Sequence, residues 1–254
     1  MQSTEQPEPS RPGPRVAVVA AMEEELHSLR QRLWDVERVT LSSGSAVRGR
    51  LESGEVLLMA TGEGAAAAEK GLSALLSDRK IEALLVVGVA GAISPDLAVG
   101  DLVVIDSVRD EQGEIPSPDA SLLQRALTSK NVMKGGVVSV DKIVVEAPAK
   151  QALWQSVGGG PFQVVDLESA TYARLAAEKG IPYFVLRAVS DTASESLPLD
   201  FNAFRSSDGS INRGKVARHL IFHPHLVGPL KDLRTRLREC AVSMADVVEE
   251  MLRP

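Results

Sequence analysis

The chain has 254 residues, 44% of them hydrophobic, which is enough to fill the core of one sizeable α/β domain. Its formal net charge is −6, whereas nucleic-acid-binding proteins are usually basic, so we expect a small-molecule substrate and no nucleic acid. The single cysteine, Cys240, excludes an internal disulfide and fits a reducing compartment. We expect it to be a small buried residue of a late helix.

We expect no targeting signal in the first residues. Residues 1–14 contain no hydrophobic residue after Met1 and are rich in Pro, Gln, Ser and Glu, which predicts a disordered leader. They lack the basic and apolar regions of a secretory signal, and no run of about eighteen apolar residues occurs elsewhere. We therefore predict a cytoplasmic protein whose single domain spans residues 15–254.

The first strand and helix place acidic residues at a junction. The apolar run Val16–Ala20 predicts a buried strand, which passes at once into a helix that opens with Glu23, Glu24 and Glu25 and continues to about Leu33. One or two acids would satisfy the helix dipole. A third acidic residue in this turn lies at the sheet edge where α/β proteins bind ligands, so it is a candidate site residue. The alternative is that it is only a solvated surface charge.

The middle of the chain alternates short apolar runs with helical segments. The predicted elements are a hairpin of Ser45–Arg50 and Glu55–Ala60, a helix Ala65–Leu76, strands Ala83–Val87 and Val99–Asp106, a helix Ala120–Ser129, a strand Gly135–Asp141 and a helix from Pro148 to Trp154. This order predicts a single-domain, three-layer α/β/α fold around a central mixed, mostly parallel sheet.

Two stretches of small residues interrupt this pattern. In Gly62–Glu63–Gly64, backbone amides could approach an anion at the start of the following helix. The dinucleotide fingerprint is not completed, because its third glycine would fall at Ala67. Gly88–Ala92 is predicted to be a loop where the main chain approaches a ligand, with a plain tight turn as the alternative.

Two later strand ends carry the strongest candidates for chemistry. The run from Val164 ends in Asp166, Leu167 and Glu168 before a helical segment, and the run from Val185 ends in Asp191. Ligands of open α/β sheets sit outside the carboxyl ends of the strands, so these polar groups are placed to meet a substrate. Helix capping is the alternative for either carboxylate alone.

The C-terminal part differs in character. Residues 194–200 are predicted to be a loop, and residues 211–254 form a basic, amphipathic helical part. We expect it to pack on the domain; contact with a membrane surface through residues 213–238, without insertion, is the alternative. The pair His223 and His225 lacks a third ligand nearby in sequence, so we predict no metal site.

Together these motifs resemble the nucleoside phosphorylase/nucleosidase superfamily, most closely its methylthioadenosine/S-adenosylhomocysteine nucleosidase branch. The resemblance covers about residues 15–191. It rests on Ala21–Met22–Glu23–Glu24–Glu25, Gly88–Val89–Ala90–Gly91 followed by Val99–Gly100–Asp101, Val165–Asp166–Leu167–Glu168, and Arg187 to Ala193. Residues 194–254 instead resemble hopanoid-associated phosphorylases, which remove adenine from adenosylhopane, in a Leu-Pro loop, the Asp208–Gly209 turn and a proline-containing basic helix.

The resemblance implies cleavage of the N-glycosidic bond of a 5′-substituted adenosine, without a cofactor. Asp191 would protonate adenine N7, Glu25 would activate water and Glu168 would accept hydrogen bonds from the ribose hydroxyls. Arg187 would orient Glu25 or a nearby anion, and Ser190 would support Asp191. The remaining substrate-binding residues implied are Asp166, Leu167, Val89, Gly91 and Ile143. The chemistry agrees, because an acid near the base and acceptors near the sugar both help this bond to break. The superfamily also implies a homo-oligomer.

The chain departs from the family pattern at four positions. Val89 stands where the nucleosidases have serine, Ile143 where they stack a phenylalanine on adenine, and Leu167 where methionine is usual. Val86 replaces the phosphate-binding arginine of hexameric phosphorylases. Without that arginine, and with three acids in the first helix, water is favoured over phosphate as the nucleophile. The alternatives are a hopanoid-associated phosphorylase acting on adenosylhopane, another phosphate-dependent nucleoside phosphorylase, and an inactive nucleoside-binding module.

Overall fold

The structure, a computed structural model, describes residues 15–206 and 210–253. The predicted leader, residues 1–14, and the Asp208–Gly209 turn lie outside the described residues. The strands are β1 Val16–Ala20, β2 Trp34–Thr40, β3 Ser45–Leu51, β4 Gly54–Ala60, β5 Ala83–Ala92, β6 Leu102–Asp110, β7 Gly113–Ile115, β8 Val132–Ser139, β9 Gln163–Asp166 and β10 Tyr183–Asp191. The α-helices are α1 Glu23–Gln31, α2 Ala65–Asp78, α3 Ala120–Ala126, α4 Ala147–Ser156, α5 Ser169–Glu178, α6 Arg213–Phe222 and α7 Val227–Leu252.

The strands form one mixed sheet in the order β10-β6-β8-β9-β5-β1-β4-β3-β2, with β7 beside β6. β1 pairs in parallel with β4 and β5, and β5 pairs in parallel with β10. β5 also pairs antiparallel with β9, and β10 antiparallel with β6. The direct pairing of β5 with β10 closes the β10-β6-β8-β9-β5 part into a ring, from which the other strands extend. The ends of β1, β5, β9 and β10 therefore meet around one space.

Helices cover both faces of the sheet, which confirms the predicted three layers. Alternate residues of β1 point to opposite faces: Val19 packs in the cluster that contains Leu72 of α2, and Val18 in the cluster that contains Leu26 of α1. α5 lies on the α2 side, whereas α3 and the second half of α7 lie on the α1 side. Cys240 is buried in α7, as predicted.

The strands differ from the sequence prediction in three places. β5 continues through Gly88–Ala92, predicted to be a loop, because these small residues pair with β10 and β9. β2 was not predicted, since it is almost entirely exposed and has no buried apolar run. The three-residue strand β7 was also missed.

The C-terminal part consists of two helices, as predicted, but they are buried to different extents. α6 contains no buried residue, whereas α7 buries a stripe from Cys240 to Met251 against the sheet layer. The second half of α7 thus packs on the domain, whereas the basic residues 213–238 include no buried residue. No helix in residues 15–206 and 210–253 is both long enough and apolar enough to span a membrane.

Candidate active site

A pocket of about 370 Å³ lies at the C-terminal ends of β1, β9 and β10 and beside the last residues of β5. Every predicted site residue except Arg187 lines it: Glu25, Val89, Gly91, Ile143, Asp166, Leu167, Glu168, Ser190 and Asp191. Arg187 lies behind the wall and is only 2% exposed. The structure thus brings together residues that are up to 166 positions apart in sequence, from Glu25 to Asp191.

Glu25 lies in the first turn of α1, and two main-chain amides hold its carboxylate. Met22 N donates to Glu25 Oε2 at 2.8 Å, and Val89 N of β5 donates to Oε1 at 2.8 Å. Burial raises the pKa of Glu25, and the Arg187 charge and these amides oppose that rise. A fixed carboxylate with a raised pKa at a pocket wall is suited to accept a proton from water.

Arg187 is the buried cation of this end of the pocket. Its Nε donates to Asp166 Oδ2 at 2.8 Å and its Nη2 lies 2.7 Å from the same oxygen. Nη2 also donates to Ser169 Oγ at 2.9 Å. Asp166 Oδ1 accepts from Ser139 Oγ at 2.6 Å. The Asp166 carboxylate, predicted to bind substrate, is therefore bound by protein side chains on both oxygens and fixes Arg187 in place.

A glycine in β5 leaves room for both this cation and the Glu25 carboxylate. A Cβ atom at Gly88 would lie 2.1 Å from Arg187 Nη1 and 2.9 Å from Glu25 Oε1. Any larger side chain at this position would displace one of the two groups. Gly88 is thus required by the charged cluster rather than by a turn.

Glu168 lies at the start of α5 and is bound by the glycine turn after β4. Gly64 N donates to Glu168 Oε1 at 2.6 Å, and Gly64 has the positive φ of 88° that favours glycine. The anion for which this turn seemed suited in sequence is the protein's own carboxylate. Burial, and then the neighbouring Asp166 carboxylate, raise the pKa of Glu168 to about 8.

Asp191 lies at the end of β10 and has two side-chain partners. Ser190 Oγ donates to Asp191 Oδ1 at 2.5 Å, as the sequence suggested. The second partner, Lys150 of α4, donates to Asp191 Oδ2. A Cβ atom at Gly91 would lie 3.0 Å from Oδ2, so the glycine leaves room beside this oxygen.

Sequence reasoning missed Lys150 and Asn202. A lone lysine in a helix is ordinarily solvated, so no pattern pointed to Lys150. Asn202 accepts from Ile143 N at 2.9 Å and donates to Ile143 O at 2.9 Å. It thereby fixes the segment that contains Ile143, where the resemblance to the nucleosidases implied a base-stacking phenylalanine. Phe201, the preceding residue, supplies an aromatic side chain to the same pocket.

The C-terminal part forms the outer wall of the pocket, which we define as Ile211, Arg213, Val216, Leu233 and Leu237. Polar contacts at the rim hold this wall. Ile211 N donates to Glu63 Oε2 at 2.9 Å, and Arg213 pairs with Glu24 at 2.7 Å. In the described residues no cluster of His, Cys, Asp or Glu is arranged to hold a metal ion.

Buried carboxylates at the strand ends of a mixed α/β sheet surround a largely apolar pocket. Such a site is typical of proteins that bind a small molecule with both polar and apolar parts. The chain belongs to the Phosphorylase superfamily, which it matches over residues 15–221. The predicted superfamily is thereby confirmed.

Similar proteins point to one branch of this superfamily. The chain is 27% identical over 214 residues to a 5′-methylthioadenosine/S-adenosylhomocysteine nucleosidase of Listeria monocytogenes, covering 74% of this chain and 91% of the relative. Its fold matches the Streptococcus pneumoniae MTA/SAH nucleosidase in complex with 8-aminoadenine, with a TM-score of 0.73, 21% identity and coverage of 94% and 99%. It also matches the Colwellia psychrerythraea enzyme in complex with adenine, with a TM-score of 0.72, 20% identity and coverage of 93% for both chains. The resemblance of residues 194–254 to hopanoid-associated enzymes stays a prediction.

Proposed function

We propose that this protein hydrolyses the N-glycosidic bond of a 5′-substituted adenosine of the methylthioadenosine or S-adenosylhomocysteine type and releases adenine. The observation that carries the proposal is the convergence of Glu25, Glu168 and Asp191 on one pocket from three separate elements. Each of the three is less than 10% exposed. Buried carboxylates are costly, so their joint presence at a pocket indicates chemistry. The names of the similar proteins support the same activity.

Asp191 acts on the base. As the bond from C1′ to N9 breaks, negative charge develops on the purine, and a proton delivered to N7 neutralises it. Asp191 is the carboxyl group in the pocket that is fixed on both oxygens by Ser190 and Lys150. Because both oxygens are fixed, the carboxyl group is held in one orientation for proton transfer to N7.

Glu168 and Glu25 act on the sugar and on water. Positive charge develops on the ribose ring, and Glu168 stabilises it by accepting hydrogen bonds from the hydroxyl groups. Glu25 accepts a proton from the water that attacks C1′. Val89, Gly91, Leu167 and Ile143 supply the apolar walls between these groups.

The charges around the pocket favour water over phosphate. Arg187, a buried cation whose charge acts on Glu25, is engaged by Asp166 and Ser169. An ionised Glu25 would repel a phosphate dianion at the position of the attacking group. The proposed reaction requires no metal or organic cofactor.

A second candidate changes the 5′ group. The outer wall contributes the apolar side chains of Ile211, Val216, Leu233 and Leu237, which suit an apolar 5′ substituent. A lipid-linked nucleoside such as adenosylhopane, cleaved by water or by phosphate, would fit such a wall. Ile221 and Phe222 of α6 are 73% and 75% exposed among basic residues, which supports a contact of residues 213–238 with a membrane surface. Sedimentation with anionic liposomes would test this contact.

We also infer a cytoplasmic homo-oligomer that binds a small nucleoside and no nucleic acid. The acidic net charge and single buried cysteine support the compartment and the absence of nucleic acid. The oligomer rests on the superfamily alone. Light scattering on the purified protein would test the assembly state.

The direct test measures adenine release from methylthioadenosine, S-adenosylhomocysteine and a 5′-alkyl adenosine, each with and without phosphate. A free sugar product formed at a phosphate-independent rate is expected. The variant Asp191→Asn keeps the shape of the side chain but removes the acid. We expect its turnover to fall by about 10³-fold while it still binds the nucleoside. Phosphate-dependent release would make the protein a phosphorylase, and binding without any release would make it a nucleoside-binding module.

A further inference from the structure

Lys150 is a buried lysine whose three donors are all used. It is 0% exposed, and its Nζ donates to Asp191 Oδ2, to Thr192 O at 2.8 Å and to Glu195 O at 2.7 Å. A charged ammonium group has three N–H donors and no acceptor, whereas a neutral amine would turn a lone pair toward one of these oxygens. The three acceptors therefore indicate a charged lysine.

The site of this lysine is built around the acid of the proposed reaction. Every partner of its Nζ is either Asp191 or a carbonyl within four residues after it. Burying an ammonium group is unfavourable unless it is paired, and an apolar side chain of similar volume would fill the space without that cost. Packing alone thus does not account for a lysine at this position.

Lys150 does not line the pocket, so it acts through Asp191 rather than on the substrate. The proposed reaction needs a carboxyl group that carries a proton when adenine leaves, yet the carboxyl group lies directly beside a cation. The cation itself carries the proton that the reaction requires. An ammonium and a carboxylate in contact within a dry interior can exchange that proton without moving other atoms.

We propose that Lys150 is a positioning residue that fixes the Asp191 carboxyl group and supplies the proton that Asp191 delivers to adenine. This role rests on the proposed function. As the bond between C1′ and N9 breaks, its electron pair moves onto the purine. An N–H bond of Lys150 breaks and an O–H bond forms on Asp191, and that O–H bond breaks as N7–H forms. The attacking water gives its own proton to Glu25, which loses it to solvent after the products leave. Asp191, which lines the pocket, then takes up a proton from solvent and returns it to the neutral Lys150.

The test compares two leaving groups in Lys150→Met. Methylthioadenosine needs a proton at N7, whereas its N7-methylated derivative leaves as a neutral base without one. We expect kcat for methylthioadenosine to fall by about 10²-fold with KM within about threefold, and kcat for the N7-methylated substrate to stay within about threefold. Equal losses on both substrates would reduce Lys150 to a structural role, and unchanged rates on both would remove its role altogether.

Two further variants keep the test decisive. Lys134→Met is the matched control, because Lys134 forms a part-exposed ion pair with Asp106 at 3.1 Å away from the pocket, and both rates should be retained. Lys150→Gln keeps N–H donors for the surrounding oxygens but carries no transferable proton, so it should show the same selective loss if Lys150→Met fails to fold. Thermal unfolding followed by circular dichroism reports folding. If the wild-type protein releases adenine from neither substrate, the proposed function itself fails, an outcome distinct from a wild-type enzyme that does not depend on Lys150.

Discussion

Arg187 and Lys150 are both buried cations, and they serve opposite ends of the pocket in different ways. Arg187 lies on β10 and its charge acts on three carboxylates, Asp166, Glu25 and Glu168. Lys150 lies on α4 and bonds to one carboxylate and two carbonyl groups. The Arg187 end therefore has more acidic than basic groups, whereas the Lys150 end is balanced. An excess of carboxylates suits the acceptance of protons and hydroxyl hydrogen bonds, and a balanced ammonium–carboxylate pair suits donation.

The largest effect on stability is expected from removing the Arg187 charge. Arg187→Met leaves Asp166, Glu25 and Glu168 without their shared buried cation, and breaking a buried ion pair typically costs about 3–5 kcal/mol, so we expect a loss of about 4 kcal/mol in the free energy of unfolding. Urea denaturation measures this loss. Arg213→Gln breaks the exposed pair with Glu24 and serves as the control, with a loss below about 1 kcal/mol. Similar losses in the two variants would contradict the central position of Arg187.

The positions of Arg187 and Glu25 can both be disturbed without changing either residue. Gly88→Ala would place its Cβ 2.1 Å from Arg187 Nη1, so the cluster must shift, and we expect a loss of about 1–3 kcal/mol in stability with a clear loss of adenine release. Gly228→Ala in α7 is the matched control, since no atom lies within 4 Å of where its added methyl group would stand and alanine favours a helix. Full activity in Gly88→Ala would show that the close approach is dispensable.

The excess of carboxylates at the Arg187 end predicts a pH dependence of the free energy of unfolding. The pKa of Glu168 rises on folding from 4.5 to about 8, so the folded protein holds a proton that the unfolded chain has lost between these values. Its contribution to stability is fully present below pH 4.5 and is lost as the pH rises through about 8, with a slope of at most about 1.4 kcal/mol per pH unit. Urea denaturation of wild type and Glu168→Gln at pH 6 and pH 9 measures it. An equally steep decline in Glu168→Gln would assign the effect to other groups.

Strand-borne parts of the site could be predicted from sequence because the strands fix them. Buried apolar runs marked β1, β9 and β10, and the residues at the end of each run or in the first turn after it fall at one edge of the sheet. Spacing and family motifs therefore predicted Glu25, Glu168 and Asp191 as neighbours, and the structure brings them to one pocket. β2 could not be found in the same way, because an exposed strand has no apolar run.

Partners from helices and loops could not be predicted, because their positions depend on how separate segments dock. Lys150 reaches Asp191 across 41 positions in sequence, and Asn202 reaches Ile143 across 59. A lysine in a helix and an asparagine in a loop are ordinary surface residues until the fold buries them. The Gly62–Gly64 turn shows the same limit: its anion-binding geometry was recognised, but its anion, Glu168, comes from another strand end.

The smallest effect on stability and activity is expected from changing Arg236, a surface arginine that binds the same loop residue, Glu195, as Lys150 does. Arg236 Nη1 donates to both carboxylate oxygens of Glu195 at 2.9 Å, while Lys150 binds the carbonyl group of that residue from inside. Arg236 is partly exposed to solvent that screens its pair, so Arg236→Gln should cost less than about 1 kcal/mol and lower adenine release less than about threefold. Steady-state kinetics and urea denaturation check both values. A loss as large and as leaving-group-dependent as that of Lys150→Met would mean that the position of the loop, and not the buried ammonium group, controls Asp191.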